Sequence, residues 1–199
     1  MEHLSEKIIK HAADLPEGAP IVAKALLHLG SRAAVDQALS RLVRRGALLR
    51  AGRGLYVRPV ETRFGTRAPA AEKVVAALAQ QCGETVTSSG ASAANALGLT
   101  PQVPSRTVYL TSGPSRKLHL GRQTVELKHA PRWQLALPNR PAGEAVRALA
   151  WLGPAKAGPA LRALKRKLPR SAFQEMASVS QLLPAWMVKP VSEIAAHGR

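Results

Sequence analysis

Apolar positions in the first sixty residues recur first at helical and then at strand spacing, and each change of spacing marks an element. Leu4, Ile8, Ile9 and Ala12 make one amphipathic stripe and predict a first helix. Pro20 suits the first turn of a helix, and Ile21, Val22, Ala25, Leu26 and Leu29 behind it predict a second, ending in a turn at Leu29-Gly30. Val35, Ala38, Leu39 and Leu42 then fall at i, i+3, i+4 and i+7, with Ser31 placed as N-cap and Gly46 placed to stop the helix in a left-handed conformation. Strand spacing follows. Leu48-Leu49-Arg50 turns through Gly52-Arg53-Gly54 and returns as Leu55-Tyr56-Val57, a short hairpin with an arginine between two glycines at its tip. The order helix, helix, turn, helix, hairpin is that of a winged helix-turn-helix DNA-binding head.

Between Pro59 and Pro69 the chain has two prolines, a glycine and no helical period, which predicts a linker. It divides residues 1–67, the winged helix-turn-helix domain with its linker, from a larger domain of residues 68–199. In the latter, helices are expected over Ala70–Gln81 and Ala91–Leu97, and strands over Glu84–Thr87, Arg106–Thr111, Lys117–Leu120 and Gln123–His129. From about Pro141 onward the pattern is helical, with breaks expected at Gly153-Pro154, Gly158-Pro159, Pro169, Pro184 and Pro190. There is no internal repeat. The fold class is α+β: a winged helix followed by a small sheet and C-terminal helices.

Charge narrows the class of partner. The 199 residues carry a formal net charge of +17, yet 46% are hydrophobic, enough for folded cores. Residues 1–67 hold twelve Lys/Arg against six Asp/Glu, and residues 68–199 seventeen against six, so both parts are basic and favour polyanions. Cys82 is the single cysteine, which excludes an internal disulfide and a Cys-x-x-Cys zinc site. Neither a signal peptide nor a bilayer-spanning apolar run is apparent, and a cytoplasmic protein without membrane contact is expected.

From Arg41 to Arg58 there are six arginines and no acid, on two adjacent elements. Ser31, Arg32, Gln37, Ser40, Arg41, Arg44 and Arg45 on the third helix, with Arg50 and Arg53 on the wing, are therefore the expected DNA-binding residues. The alternative is that these arginines only solvate a structural helix. Arg162, Lys165, Arg166, Lys167 and Arg170 surround an apolar seam of Leu161, Leu164 and Leu168, and solvation, DNA phosphates and an acidic partner all remain open for them. Arg106, Arg116, Lys117 and Arg122 sit at the ends of the small sheet. Of these, Arg116, Lys117, Arg162, Lys165 and Arg166 make a candidate second surface for nucleic acid or a partner. Trp133, Trp151 and Trp186 are expected in the core rather than as stacking platforms.

Catalytic patterns are missing. The twelve acids are scattered singly, with no Asp-x-Asp or Glu-x-Glu pair. Gly30-Ser31 shares the Gly-Ser of nucleotidyltransferases, but only Asp36 follows it, not the carboxylate pair that binds magnesium. Gly153-Pro154-Ala155-Lys156-Ala157-Gly158 lacks the P-loop order, and Ser88-Ser89-Gly90-Ala91-Ser92 does not match G-x-S-x-G; it reads as an N-capped helix entrance. Histidines 3, 11, 28, 119, 129 and 197 form no metal motif, and His119 and His129 are expected on strand faces. No enzymatic activity, metal or cofactor is expected.

The run Pro101–His129, P-Q-V-P-S-R-T-V-Y-L-T-S-G-P-S-R-K-L-H-L-G-R-Q-T-V-E-L-K-H, preceded by S-S-G-A-S-A-A-N-A-L-G-L at Ser88–Leu99, resembles the AbiEi-like antitoxins of bacterial abortive-infection systems, as does R-G-L-Y at Arg53–Tyr56. The likeness covers about residues 1–135. It implies a repressor that binds inverted repeats in its own operon through the winged helix. It also implies that the larger domain counteracts a nucleotidyltransferase toxin encoded alongside. The DNA-reading role then falls on Ser31–Arg45 and the wing role on Arg50 and Arg53, in a monomer or weak dimer that is cooperative on double-stranded DNA. A generic winged-helix regulator controlled by a ligand or partner, and an RNA-binding accessory protein, are the competing readings.

Overall fold

The computed structural model describes residues 3–196; His197 lies outside them. The chain opens with helix α1 (Leu4–Ala13), strand β1 (Pro20–Val22), a single 3-10 turn at Ala23–Leu26, helix α2 (Arg32–Arg44) and the strands β2 (Leu49–Gly52) and β3 (Leu55–Val57). The helix expected from Pro20 to Leu29 is thus a strand and a short turn. Two β-branched residues, Ile21 and Val22, pair antiparallel with the wing in the register Pro20↔Val57, Ile21↔Tyr56 and Val22↔Leu55. Pro20 fits because β1 is an edge strand of the sheet β1-β3-β2 and Pro20 its first residue, where a missing N–H breaks no ladder. The wing is therefore stitched into a three-stranded sheet, which is the winged-helix arrangement.

α2 forms where its apolar period required. Ser31 Oγ accepts the Ala34 N–H (3.3 Å) at one end, and Gly46, with φ 72°, ends the other. Its buried face of Val35, Ala38, Leu39 and Leu42 packs with Ile8, Ala12, Ile21, Leu26, Leu48 and Tyr56 in one core. Each buried leucine there contributes about 1.5–3 kcal/mol, so tertiary burial rather than helix propensity fixes α2.

The stretch expected as a linker carries a second hairpin, β4 (Val60–Thr62) and β5 (Gly65–Arg67), paired Val60↔Arg67, Glu61↔Thr66 and Thr62↔Gly65. Helix α3 (Ala71–Cys82) follows, then β6 (Val86–Ser88), α4 (Gly90–Ala96), β7 (Thr107–Thr111), β8 (Arg116–Leu120) and β9 (Gln123–His129), with strand order β6-β7-β9-β8. After a 3-10 turn at Arg132–Leu135 come α5 (Pro141–Leu152), α6 (Pro154–Lys165), α7 (Arg170–Ser178) and α8 (Ala185–Ala196). The architecture is α+β. Gly153-Pro154, Pro169 and Pro184 do mark helix starts, but Gly158-Pro159 and Pro190 break nothing: each proline is the sixth residue of its helix, α6 and α8. The lost backbone bond is outweighed where Leu161, Leu164, Met187 and Val191 bury their side chains around it.

By compactness the chain divides into Met1–Glu84 with Lys117–Val125, and Thr85–Arg116 with Glu126–Arg199. The packing boundary thus lies past the proline-bearing stretch, because α3 packs back onto the head: a Cβ on Gly18 would sit 2.8 Å from the Lys73 backbone. In the second unit Ala145, Val146 and Leu149 of α5 meet Leu161, Leu164, Phe173, Met176 and Met187 of the other helices. Trp133 and Trp186 pack partly against that core, whereas Trp151 is 44% exposed. No helix among the described residues is long and apolar enough to cross a membrane.

Candidate nucleic-acid interface

Burying Val35, Ala38, Leu39 and Leu42 turns the opposite side of α2 outward. Asp36, Gln37, Ser40, Arg41 and Arg44 line one shallow concavity of about 520 Å³ there. Four of these five are residues expected from the sequence to meet DNA. Asp36 is the addition, and it has a consequence: Arg32 Nε donates to its carboxylate at 2.9 Å, so Arg32 is engaged within the helix surface. Arg41 Nε donates to the Gln37 carbonyl (3.4 Å), which lays its guanidinium along the helix. Ser31 is occupied by capping, and Arg45 follows the last turn, exposed.

The wing presents two arginines. Arg50 is exposed on β2 where the register with β3 shifts between Arg50 and Gly52, and Arg53 is exposed at the tip beside Gly54, whose φ of 66° the bend requires. Of the candidate second surface, Lys117 comes to this element: a Cβ on Gly52 would lie 3.9 Å from the Lys117 carbonyl. Arg116 is half-buried, and Arg162, Lys165 and Arg166 are exposed on α6 and its cap. Arg162 shares a cleft with Glu193. Lys167 has a structural task, donating to the Leu97 and Gly98 carbonyls (2.7 and 3.3 Å) and so closing the C-terminal end of α4.

Two features escaped the sequence pattern. The first is the hairpin β4–β5 with Arg63 and Phe64 at its turn; two short runs with Gly65 just after the turn were the available signal. The second is Glu17, which accepts from Arg67 (3.3 Å), from the Ala70 N–H (3.3 Å) and from Lys73. The Lys73 ammonium, ahead of the other two, holds the Glu17 carboxyl below its ordinary value of 4.5.

In the second unit, a cleft of about 610 Å³ is lined by Thr85, Ser112, His129, Arg132, Leu135 and Leu182 among others. His129 Nδ1–H donates to the Gly113 carbonyl (3.0 Å), and Ser112 Oγ accepts from Thr85 N–H (2.9 Å). Leu137, which also lines it, has φ 52°, a strained angle for leucine. His119 and His129 are exposed on strand faces, and no three His, Cys, Asp or Glu side chains among the described residues gather as metal ligands would.

These features define a winged-helix head and a second, α+β unit. The chain belongs to the family of unknown function DUF6088, whose model matches residues 6–169. No curated protein matches it. Among solved structures it is similar to the crystal structure of the RV2827C protein from Mycobacterium tuberculosis, at 19% identity and a TM-score of 0.44, over 97% of this chain and 80% of that one.

Proposed function

We propose that the chain is a cytoplasmic, non-enzymatic DNA-binding repressor and antitoxin. It silences its own operon at inverted repeats and counteracts a nucleotidyltransferase toxin. The observation that carries the DNA half is the exposed polar face of α2, with Gln37, Ser40, Arg41 and Arg44 on one concavity, beside a wing tipped by Arg53. A helix of this kind can enter the major groove while the wing takes phosphates or the minor groove. The net charge of +17 adds sequence-independent attraction to the duplex. The antitoxin half rests on the AbiEi-like run from Ser88 to His129.

The test has two arms on the full chain. Footprinting of the DNA upstream of its gene should show paired half-sites about one helical turn apart or a multiple of it. Co-expression with the nucleotidyltransferase encoded alongside should restore growth. A single unpaired half-site, or binding to folded RNA in preference to duplex DNA at matched salt, would remove the repressor reading; failure to restore growth would remove the antitoxin reading. A second reading, a regulator that senses a small molecule in its body, is favoured by the cleft of about 610 Å³ with strained Leu137 in its lining. Filling that cleft by Leu182→Trp should alter repression under the second reading and leave it unchanged under the first.

A further inference from the structure

The β4–β5 hairpin projects from the head with every residue from 61 to 67 exposed. Phe64 at its turn keeps 85% of its surface in water. Isolated exposed apolar residues are common. What distinguishes this one is how firmly it is held. Thr62 Oγ1 accepts the Phe64 N–H (3.2 Å) and donates to the Gly65 carbonyl (2.6 Å), and Gly65, with φ 107°, takes the bend that Arg63 and Phe64 avoid. At the base, Glu17 receives Arg67 and the Ala70 N–H and ties both to Lys73. Little conformational freedom therefore remains to be lost when the tip meets a partner.

Placement and charge point to the partner. Val60 and Glu61 share a cleft with Gly46 and Ala47, so the hairpin starts where α2 ends and carries its turn roughly 10 Å outward at strand spacing. Arg58 and Arg63 flank it beside Glu61, while Arg67 at its base is paired with Glu17. The Arg63 guanidinium lies 4.7 Å from the Phe64 ring centroid, a cation and an aromatic face presented together. A protein partner would need roughly 800 Å² of matching surface on each side, whereas one aromatic side chain supplies only about 150–250 Å². An apolar wedge between stacked base pairs needs a single side chain with cations beside it for the phosphates.

We propose that the β4–β5 hairpin is a second wing that enters the minor groove of duplex DNA beside the site read by α2. Arg63 contacts the groove or its phosphates, and Phe64 wedges into a base step. This rests on the DNA-binding reading above. The test uses the full chain and a duplex of about three helical turns with TA steps, which unstack readily, carrying 2-aminopurine in place of their adenines. Wild type should raise the aminopurine fluorescence on binding. Phe64→Ala should abolish that rise and weaken binding about tenfold, and Phe64→Trp should restore both. Phe64 is too exposed for either change to unfold the head. Arg41→Ala serves as the reference for α2. If Arg41→Ala weakens binding while Phe64→Ala leaves affinity and fluorescence at wild-type values, the second wing is overturned and DNA binding stands. If wild type binds no duplex, both readings fall; if Phe64→Ala weakens binding to anionic vesicles but not to duplex, the second wing alone is overturned.

Discussion

Glu17 accepts an ion pair from Lys73 and thereby fastens the turn after α1 to the first turn of α3, across more than fifty residues of chain. The same carboxylate holds Arg67 at the foot of the second hairpin. Because its pKa in the folded protein is lowered, its stabilisation is full above the ordinary value of 4.5 and is lost as pH falls through the lower folded value. Glu17→Gln should lower the melting temperature at neutral pH. The gap to wild type should close as melts are repeated below pH 4.5, and a gap that persists unchanged would contradict the ion-pair account.

Arg147 on α5 is 1% exposed, and its three guanidinium nitrogens have no hydrogen-bond partner among the described residues. Burial pushes its pKa down to about 10, with Glu144 pulling the other way. A folded value below the unfolded one means that the penalty for the charge is complete below about pH 10 and eases only above it. Arg147→Met, apolar and of similar length, should stabilise the protein by about 1–4 kcal/mol, by the same amount across the neutral range. Denaturant unfolding of the two proteins measures this; a less stable Met variant would show that the guanidinium has a necessary partner.

Gly90 opens α4 directly against α5. A Cβ there would stand 2.6 Å from the Arg147 carbonyl and 2.8 Å from the Trp151 Cβ. Backbone cannot yield as a flexible side-chain end would, so Gly90→Ala should cost about 1–3 kcal/mol despite alanine's better helix propensity. A melting temperature at or above that of wild type would mean that α4 can shift freely on α5.

Under the DNA-binding reading, Arg41 and Arg53 should fail differently. Arg41→Ala should cost about 1–3 kcal/mol on the operator and little on random DNA. Arg53→Ala should weaken binding to all sequences and reduce the salt slope by roughly one. Titrations on both DNAs over a salt series separate the two, and equal losses for Arg41→Ala on both would remove its base-reading role.

The strongly periodic elements were legible from local pattern: α1, α2, α3, the wing and the strands β7 to β9 follow from apolar spacing and turn glycines. Pro20–Val22 was not. Its residues satisfy a helical stripe as well as a strand, and only the pairing with Val57, Tyr56 and Leu55, more than thirty positions away, decides between them. Val60–Arg67 has no buried face to leave an apolar imprint, so its hairpin was hidden for the reason that makes it accessible. Pro159 and Pro190 signal a break locally, and burial around them overrides it. At the candidate interface, the α2 face was visible as a helical projection, while Asp36 beside Arg32 and the three-way role of Glu17 depend on side-chain geometry that spacing does not encode.

Leu55 is paired on both sides, with Val22 of β1 and with Gly52 of β2, so β3 is the central strand to which the segments before and after α2 are both fastened. The helix therefore leaves from one neighbour of β3 and returns to the other, and its buried residues share the core with α1 and β1. Only its outward positions and the Arg53 tip lie outside that framework, and they are free to change in sequence without disturbing the pairing that holds the head together.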